Sequence, residues 1–140
     1  MKYPVEVIAT RFGPPPEGSQ APSLTVVYGP AAWARIAAED PTYPALVPKD
    51  FDWGTRLLLS VKTTAGGGMD VEPVITELSR EGNRVRVLVE TRVRPNPQGL
   101  DVFLQPWLLA AAPRVAFEGN PEVELEVRGE EKGIVQHERD

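Results

Sequence analysis

The stretch that decides the fold is Arg84-Val85-Arg86-Val87-Leu88-Val89-Glu90-Thr91-Arg92-Val93-Arg94. Val85, Val87, Val89 and Val93 fall on one side of an extended chain. Arg84, Arg86, Arg92 and Arg94 fall on the other, with Leu88 and Glu90 between them. Period-two alternation of β-branched and charged residues predicts a strand with one buried and one wet face. A second stretch carries the complement. Val123, Leu125 and Val127 alternate with Glu122, Glu124 and Glu126. If the two strands pair, arginines face glutamates across the ladder, which favours that pairing. Nucleic-acid contact by the arginine stripe is the competing reading, and the surrounding acidity disfavours it.

Working outward, Ser79–Asn83 is rich in turn residues and reads as a hairpin loop. Before it, Met69–Leu78 reads as a strand interrupted near Pro73, since proline cannot donate to a ladder. Arg56–Thr64 is a strand around Leu57-Leu58-Leu59, followed by a glycine-rich turn at Ala65–Gly68. After the valine strand come a turn at Pro95–Gly99 and an apolar strand, Val102–Leu109, broken at Gln105-Pro106. Tyr3–Thr10 reads as a first strand with Tyr3, Val5, Val7 and Ala9 on one side, and Leu24–Tyr28 as a short one. Between these two, Gly13–Gly18 with its three successive prolines reads as a rigid surface loop. The single helix spans Ala31–Asp40, with Trp33, Ile36 and Ala37 on its apolar face and Pro30 at its first turn. Many short strands with Gly/Pro turns argue an all-β, mainly antiparallel, sandwich-like domain with one short helix. The polar tail, 129–140, is expected to fray.

The 140 residues fit one domain, large enough for a core without disulfides or metal. No cysteine is present, which removes thiolate nucleophiles and cysteine-ligated metal centres. The net charge of −5 opposes a general nucleic-acid or anionic-membrane binder. No run approaches a membrane span, and the first residues lack the apolar stretch of a signal peptide. Cytoplasmic is the default compartment, with export left open. Arginine outnumbers lysine eleven to four, asparagine and glutamine number three and four, and proline reaches 15. That balance suits a thermophile.

The chemistry-bearing residues are few. His137 is the only histidine and lies in the tail, so an enzyme using Ser60 or Ser79 as nucleophile is not expected. Asp50 with Asp52, and Asp70 with Glu72, are carboxylate pairs two residues apart. Such pairs share a strand face and could ligate calcium, although hard cations want about six oxygens. Turn capping by aspartate is the simpler reading. No cofactor other than calcium is implied. Gly66-Gly67-Gly68 precedes Met69-Asp70 rather than a Lys-Ser/Thr helix start, so it is no phosphate cradle. Trp33 reads as core; Trp107 reads equally as core or as a binding anchor.

The residues from about 24 to 114 resemble the PrcB C-terminal domain family, named for an accessory subunit of a bacterial surface protease complex. Several features carry the resemblance in order: the Trp33 helix, Lys49-Asp50-Phe51-Asp52, a hydrophobic strand and Gly66-Gly67-Gly68. Val71, Glu81-Gly82-Asn83, the valine strand, Pro95-Asn96-Pro97 and Phe103-Leu104-Gln105-Pro106-Trp107 follow. Met69 stands where the family has an aromatic residue, and Pro106-Trp107 where it has proline–tyrosine. The resemblance implies a non-catalytic accessory or protein-binding domain, with a peptidase among the expected partners. A weaker resemblance is to chagasin-type cysteine protease inhibitors, through Thr63-Thr64 with Gly66–Gly68 and through Pro106-Trp107. Val61-Lys62 replaces the asparagine–proline pair of those inhibitors.

The expected function is therefore protein binding through Gly66, Gly67, Gly68, Met69, Asn96, Pro97, Pro106 and Trp107. Protease inhibition, calcium binding, and small-ligand or carbohydrate binding are the alternatives. Pairing of an edge strand with a second copy would give a homodimer.

Overall fold

The computed structural model describes residues 1–13, 21–38, 43–63, 70–94, 105–128 and 132–140. Its strands are β1 (Lys2–Tyr3), β2 (Glu6–Gly13), β3 (Ser23–Val27), β4 (Arg56–Lys62), β5 (Asp70–Glu81), β6 (Arg84–Arg94), β7 (Gln105–Pro113), β8 (Glu122–Val127) and β9 (Ile134–Glu138). One helix, α1 (Pro30–Ala37), follows β3, and short 3-10 turns occupy Tyr43–Leu46 and Arg114–Phe117. Two sheets form, ordered β1-β5-β6-β8 and β2-β7-β4-β3-β9. Five of the seven strand pairings described are antiparallel; β6–β8 and β3–β9 are parallel.

The sheets pack face to face around one core. Val85, Val87 and Val89 of β6 and Leu125 and Val127 of β8 meet Leu24, Val26, Leu57, Leu59, Val61 and Leu108 of the other sheet. The five-stranded sheet also buries part of its outer face. There α1 lays Ala32, Trp33 and Ala37 over Val27, Leu58, Leu109 and Ala111. Burial on both faces explains why Leu57–Leu59 and Leu108–Ala112 are continuous apolar runs rather than alternating ones. The molecule is thus a sandwich with a helical layer on one side.

The valine strand behaves as its pattern predicts. In the parallel β6–β8 pair, Arg84 lies opposite Glu122 and Arg86 opposite Glu124. The ion pairs run one step diagonally: Arg84–Glu124 at 3.7 Å, and Arg86 on Glu126. Arg128 of the same region reaches Glu90 at 2.5 Å.

Several expectations change, among them that β7 begins at Gln105, where a break was expected, and runs on to Pro113. The strand expected at Tyr3–Thr10 divides, because after Tyr3 the chain leaves one sheet and enters the other at Glu6. Tyr3 and Val5 pack against the core between the sheets, whereas Val7 is 52% exposed. Pro73 does not interrupt β5. It pairs in register with Thr91, while β1 covers the far side of β5 only at Leu78 and Ser79. No strand among the described residues therefore asks Pro73 for a donor on that side. The irregularity comes later, as a bulge between Ile75 and Glu77 that moves the buried set from Ile75 to Leu78. The hairpin loop is tighter than expected: Glu81 pairs with Arg84, and Gly82 takes φ 58° at the first turn position. Finally, the tail supplies β9, which pairs with β3 from Ile134 to Glu138.

Gly133 is what lets the chain reach that position. Its N–H donates to Leu125 O of β8 at 3.1 Å, and Ile134 N–H donates to Pro22 O at 2.9 Å. The chain crosses here from one sheet to the other. A Cβ at Gly133 would overlap the Leu125 side chain.

Candidate functional site

Strand register brings several chain connections to one end of the sandwich. In the five-stranded sheet, Gly13 pairs with Gln105, Lys62 with Trp107, and Ser23 with Lys62. In the four-stranded sheet, Asp70 pairs with Arg94. The six residues 64–69 join Thr63 to Asp70, a reach of at most about 25 Å. The twelve residues of β5 span about 40 Å, so Asp70 must lie at the same end as Lys62. The connections 14–20, 64–69 and 95–104 therefore all depart from this end. Gly66, Gly67, Gly68, Met69, Asn96 and Pro97 belong to two of them and lie outside the described residues.

Pro106 and Trp107 open β7 at the same end and are buried. Trp107 is 5% exposed and donates its indole N–H to Ser60 Oγ at 2.6 Å. Tyr43 stacks on it, with ring centroids 4.7 Å apart. Trp107 is thus a core residue that shapes the wall of a cleft. That cleft, about 220 Å³, is lined by Ser23, Thr25, Ser60, Lys62, Gln136, Tyr43 and Trp107, among others. Past the end of β4, Thr63 is fully buried and its hydroxyl has no hydrogen-bond partner among the described residues.

The carboxylate pairs are dispersed. Asp50 is exposed. Asp52 accepts from Gly54 N–H at 3.1 Å through one oxygen and from Thr55 Oγ1 at 2.7 Å through the other. The Thr55 hydrogen bond, more than any other influence, holds its carboxyl below the usual range. This is turn capping. Asp70 and Glu72 lie on β5 opposite Arg94 and Arg92. Among the described residues, no three His, Asp or Glu side chains converge as a metal site would require. No helix among them is long and apolar enough to cross a membrane.

A cluster that the sequence reading did not anticipate occupies the opposite end of β3. Tyr28 Oη and His137 Nδ1 share a hydrogen bond of 2.9 Å, and Arg139 lies over the Tyr28 ring at 4.2 Å. Arg114 donates to the Tyr28 carbonyl. Asp140 accepts from Ala32 N–H at 2.7 Å, capping α1 where Gly29 offers no side chain. Desolvation, with Arg139 adding to it, lowers the His137 pKa. Desolvation raises that of Tyr28, against the opposing pull of Arg139 and Arg114. The only sequence signal for this cluster is the short Gly133-Ile134-Val135 step, too brief to distinguish from a polar tail.

No protein-family model matches this chain, and no curated protein or solved structure is significantly similar to it. The chemistry must be read from the molecule itself.

The outer face of the four-stranded sheet is charged and internally matched. Lys2 reaches Glu77 at 3.0 Å beside the arginine–glutamate ladder. Exposed pairs of this kind hold a face soluble and add little stability.

Proposed function

We propose that this chain is a non-catalytic protein-binding domain acting as an accessory or scaffold subunit. Its contact surface is the end of the sandwich from which residues 14–20, 64–69 and 95–104 depart. The observation that carries this reading is the register: Gly13, Lys62, Asp70, Arg94 and Gln105 all lie at one end. Binding loops held on a rigid sandwich frame are a common way for β domains to recognise partners. The glycines Gly66, Gly67 and Gly68 carry no side chain that would obstruct a partner's contact with their backbone. A peptidase is the partner class that the PrcB-like pattern implies.

The test is affinity capture from native extract with wild type, Gly67→Arg and Asn96→Arg as baits, read by mass spectrometry. Trp107 is unsuitable for this purpose because its loss would damage the core. A protein retained by wild type and lost by both variants supports the reading. Equal capture by all three baits contradicts it. If the retained protein is a peptidase, loss of its activity at stoichiometric ratio would assign inhibition rather than scaffolding.

A further inference from the structure

The outer face of the five-stranded sheet changes character along its strands. Beneath α1 it presents Val27, Leu58, Leu109 and Ala111, all buried. Two residues further along the same strands it presents Thr25 and Ser60, and two further again Ser23 and Lys62. Gln136 of β9 joins them, and together they form the floor of the 220 Å³ cleft. Of these hydroxyls only Ser60 is buried; Ser23 and Thr25 are partly buried, so the half-face offers polar groups to a ligand or to water.

Ser60 is 7% exposed. Its oxygen accepts the Trp107 indole proton, which leaves its own O–H to donate. Lys62 is exposed and has no ion-pair partner among the described residues. Ser23 pairs with Lys62 across the β3–β4 ladder, so its hydroxyl belongs to the same corner. Tyr43 and Trp107 close one face of each ring against the other, which disfavours stacking of a sugar there. The carboxylate lining the cleft, Glu138, pairs with Val27, four residues from Ser23 along β3. At about 3.3 Å per residue it stands about 13 Å from the Lys62 corner, and Arg35 holds it at 3.8 Å. The cleft is therefore positive and donor-rich at one end and acidic at the other.

We propose that this cleft binds a carboxylate group, seated between Lys62 Nζ and the Ser23 and Ser60 hydroxyls. One ammonium and a small volume suit a monocarboxylate. A second anionic group at the far end would meet Glu138. The carboxylate comes either from the free end of a peptide chain or from a small monocarboxylic acid. This inference is independent of the loop-end reading, since the cleft can fill whether or not the loops engage a protein.

The test follows the Trp107 indole N–H resonance by NMR at constant ionic strength. The probes are propionate, N-acetyl-alanyl-alanine, the C-terminal amide of that peptide, and inorganic phosphate. Saturable shifts with the two carboxylates are expected, with the amide at least about tenfold weaker, as loss of one charge-assisted hydrogen bond implies. Phosphate should also bind more weakly, because its second charge has one ammonium to meet and faces Glu138. The tighter of the two carboxylates identifies the source. Lys62→Gln should weaken binding about tenfold with an unchanged melting temperature, because Lys62 is exposed. Absence of a saturable shift would overturn the proposal. So would equal binding of amide or phosphate, or undiminished affinity in Lys62→Gln.

Discussion

Trp107 shows how one side chain can serve packing and geometry together. Its ring fills the layer between α1 and the five-stranded sheet, and its N–H is matched by Ser60. Trp107→Ala should cost about 3–5 kcal/mol, the usual range for an aromatic core truncation. Trp107→Phe should cost less, about 1–3 kcal/mol, from lost volume and the unpaired hydroxyl environment. Urea unfolding midpoints check the order. His137 gives a pH prediction. Its folded pKa lies below the usual 6.5, so the unfolded chain binds the proton more readily. The stability tied to this site is complete above about pH 6.5 and is lost as pH falls from there through the lowered folded value. Asp52 and Glu77 are also lowered, but from 3.8 and 4.5, so their losses occur at more acid pH. Glu77 owes its shift chiefly to the hydrogen bond from Lys2. His137→Gln should flatten the melting-temperature profile as pH falls below about 6.5 and leave the acid limb unchanged. The engaged oxygens of Asp52 lead to a further expectation: adding a chelator leaves the melting temperature where it is.

At the scale of elements, β9 is the clearest dependence on a single position. Gly133→Ala would force a Cβ into Leu125 and to 3.0 Å from Pro22 O. Overpacking of this kind costs about 1–3 kcal/mol. Hydrogen exchange should show faster opening of Ile134–Glu138 in the variant than of β6. The β6–β8 ladder makes a sign prediction. Arg86→Glu should lower stability by placing like charges beside Glu124 and Glu126, and adding Glu126→Arg should recover part of the loss. How legible these elements are follows from pattern length. The eleven residues of β6 alternate long enough to fix face and partner together. The five residues of β9 alternate too briefly, and Gln136 and His137 look solvated in isolation. The β7 alanines, Ala110–Ala112, gave no strand signal either. They are strand because β2 and β4 pair on both sides and neighbouring layers cover both faces. Pro73 misled for a related reason: a proline breaks a ladder only where a neighbour needs its donor.

For the whole molecule, the sandwich class follows from strand count and turn chemistry, but its helical third layer does not. That layer depends on which face of Leu57–Leu59 meets which neighbour, a tertiary fact. The candidate loop end was legible in part. Turn residues mark Gly66–Gly68 and Pro95–Gly99 in the sequence, while only register places their anchors together. The cleft was invisible, because Ser23, Thr25, Ser60, Lys62 and Gln136 come from three strands widely separated in the chain. On the proposed reading, the loop-bearing end meets a protein, and the charged sheet and the far end do not. A photo-crosslinking residue placed singly at Gly67, Asn96 or Glu122 in native extract tests it most directly, since Glu122 pairs with Arg84 at the opposite end of β6. One shared crosslinked protein is expected from Gly67 and Asn96, and none of it from Glu122. The same protein crosslinked from Glu122 alone, or equally from all three positions, would contradict it.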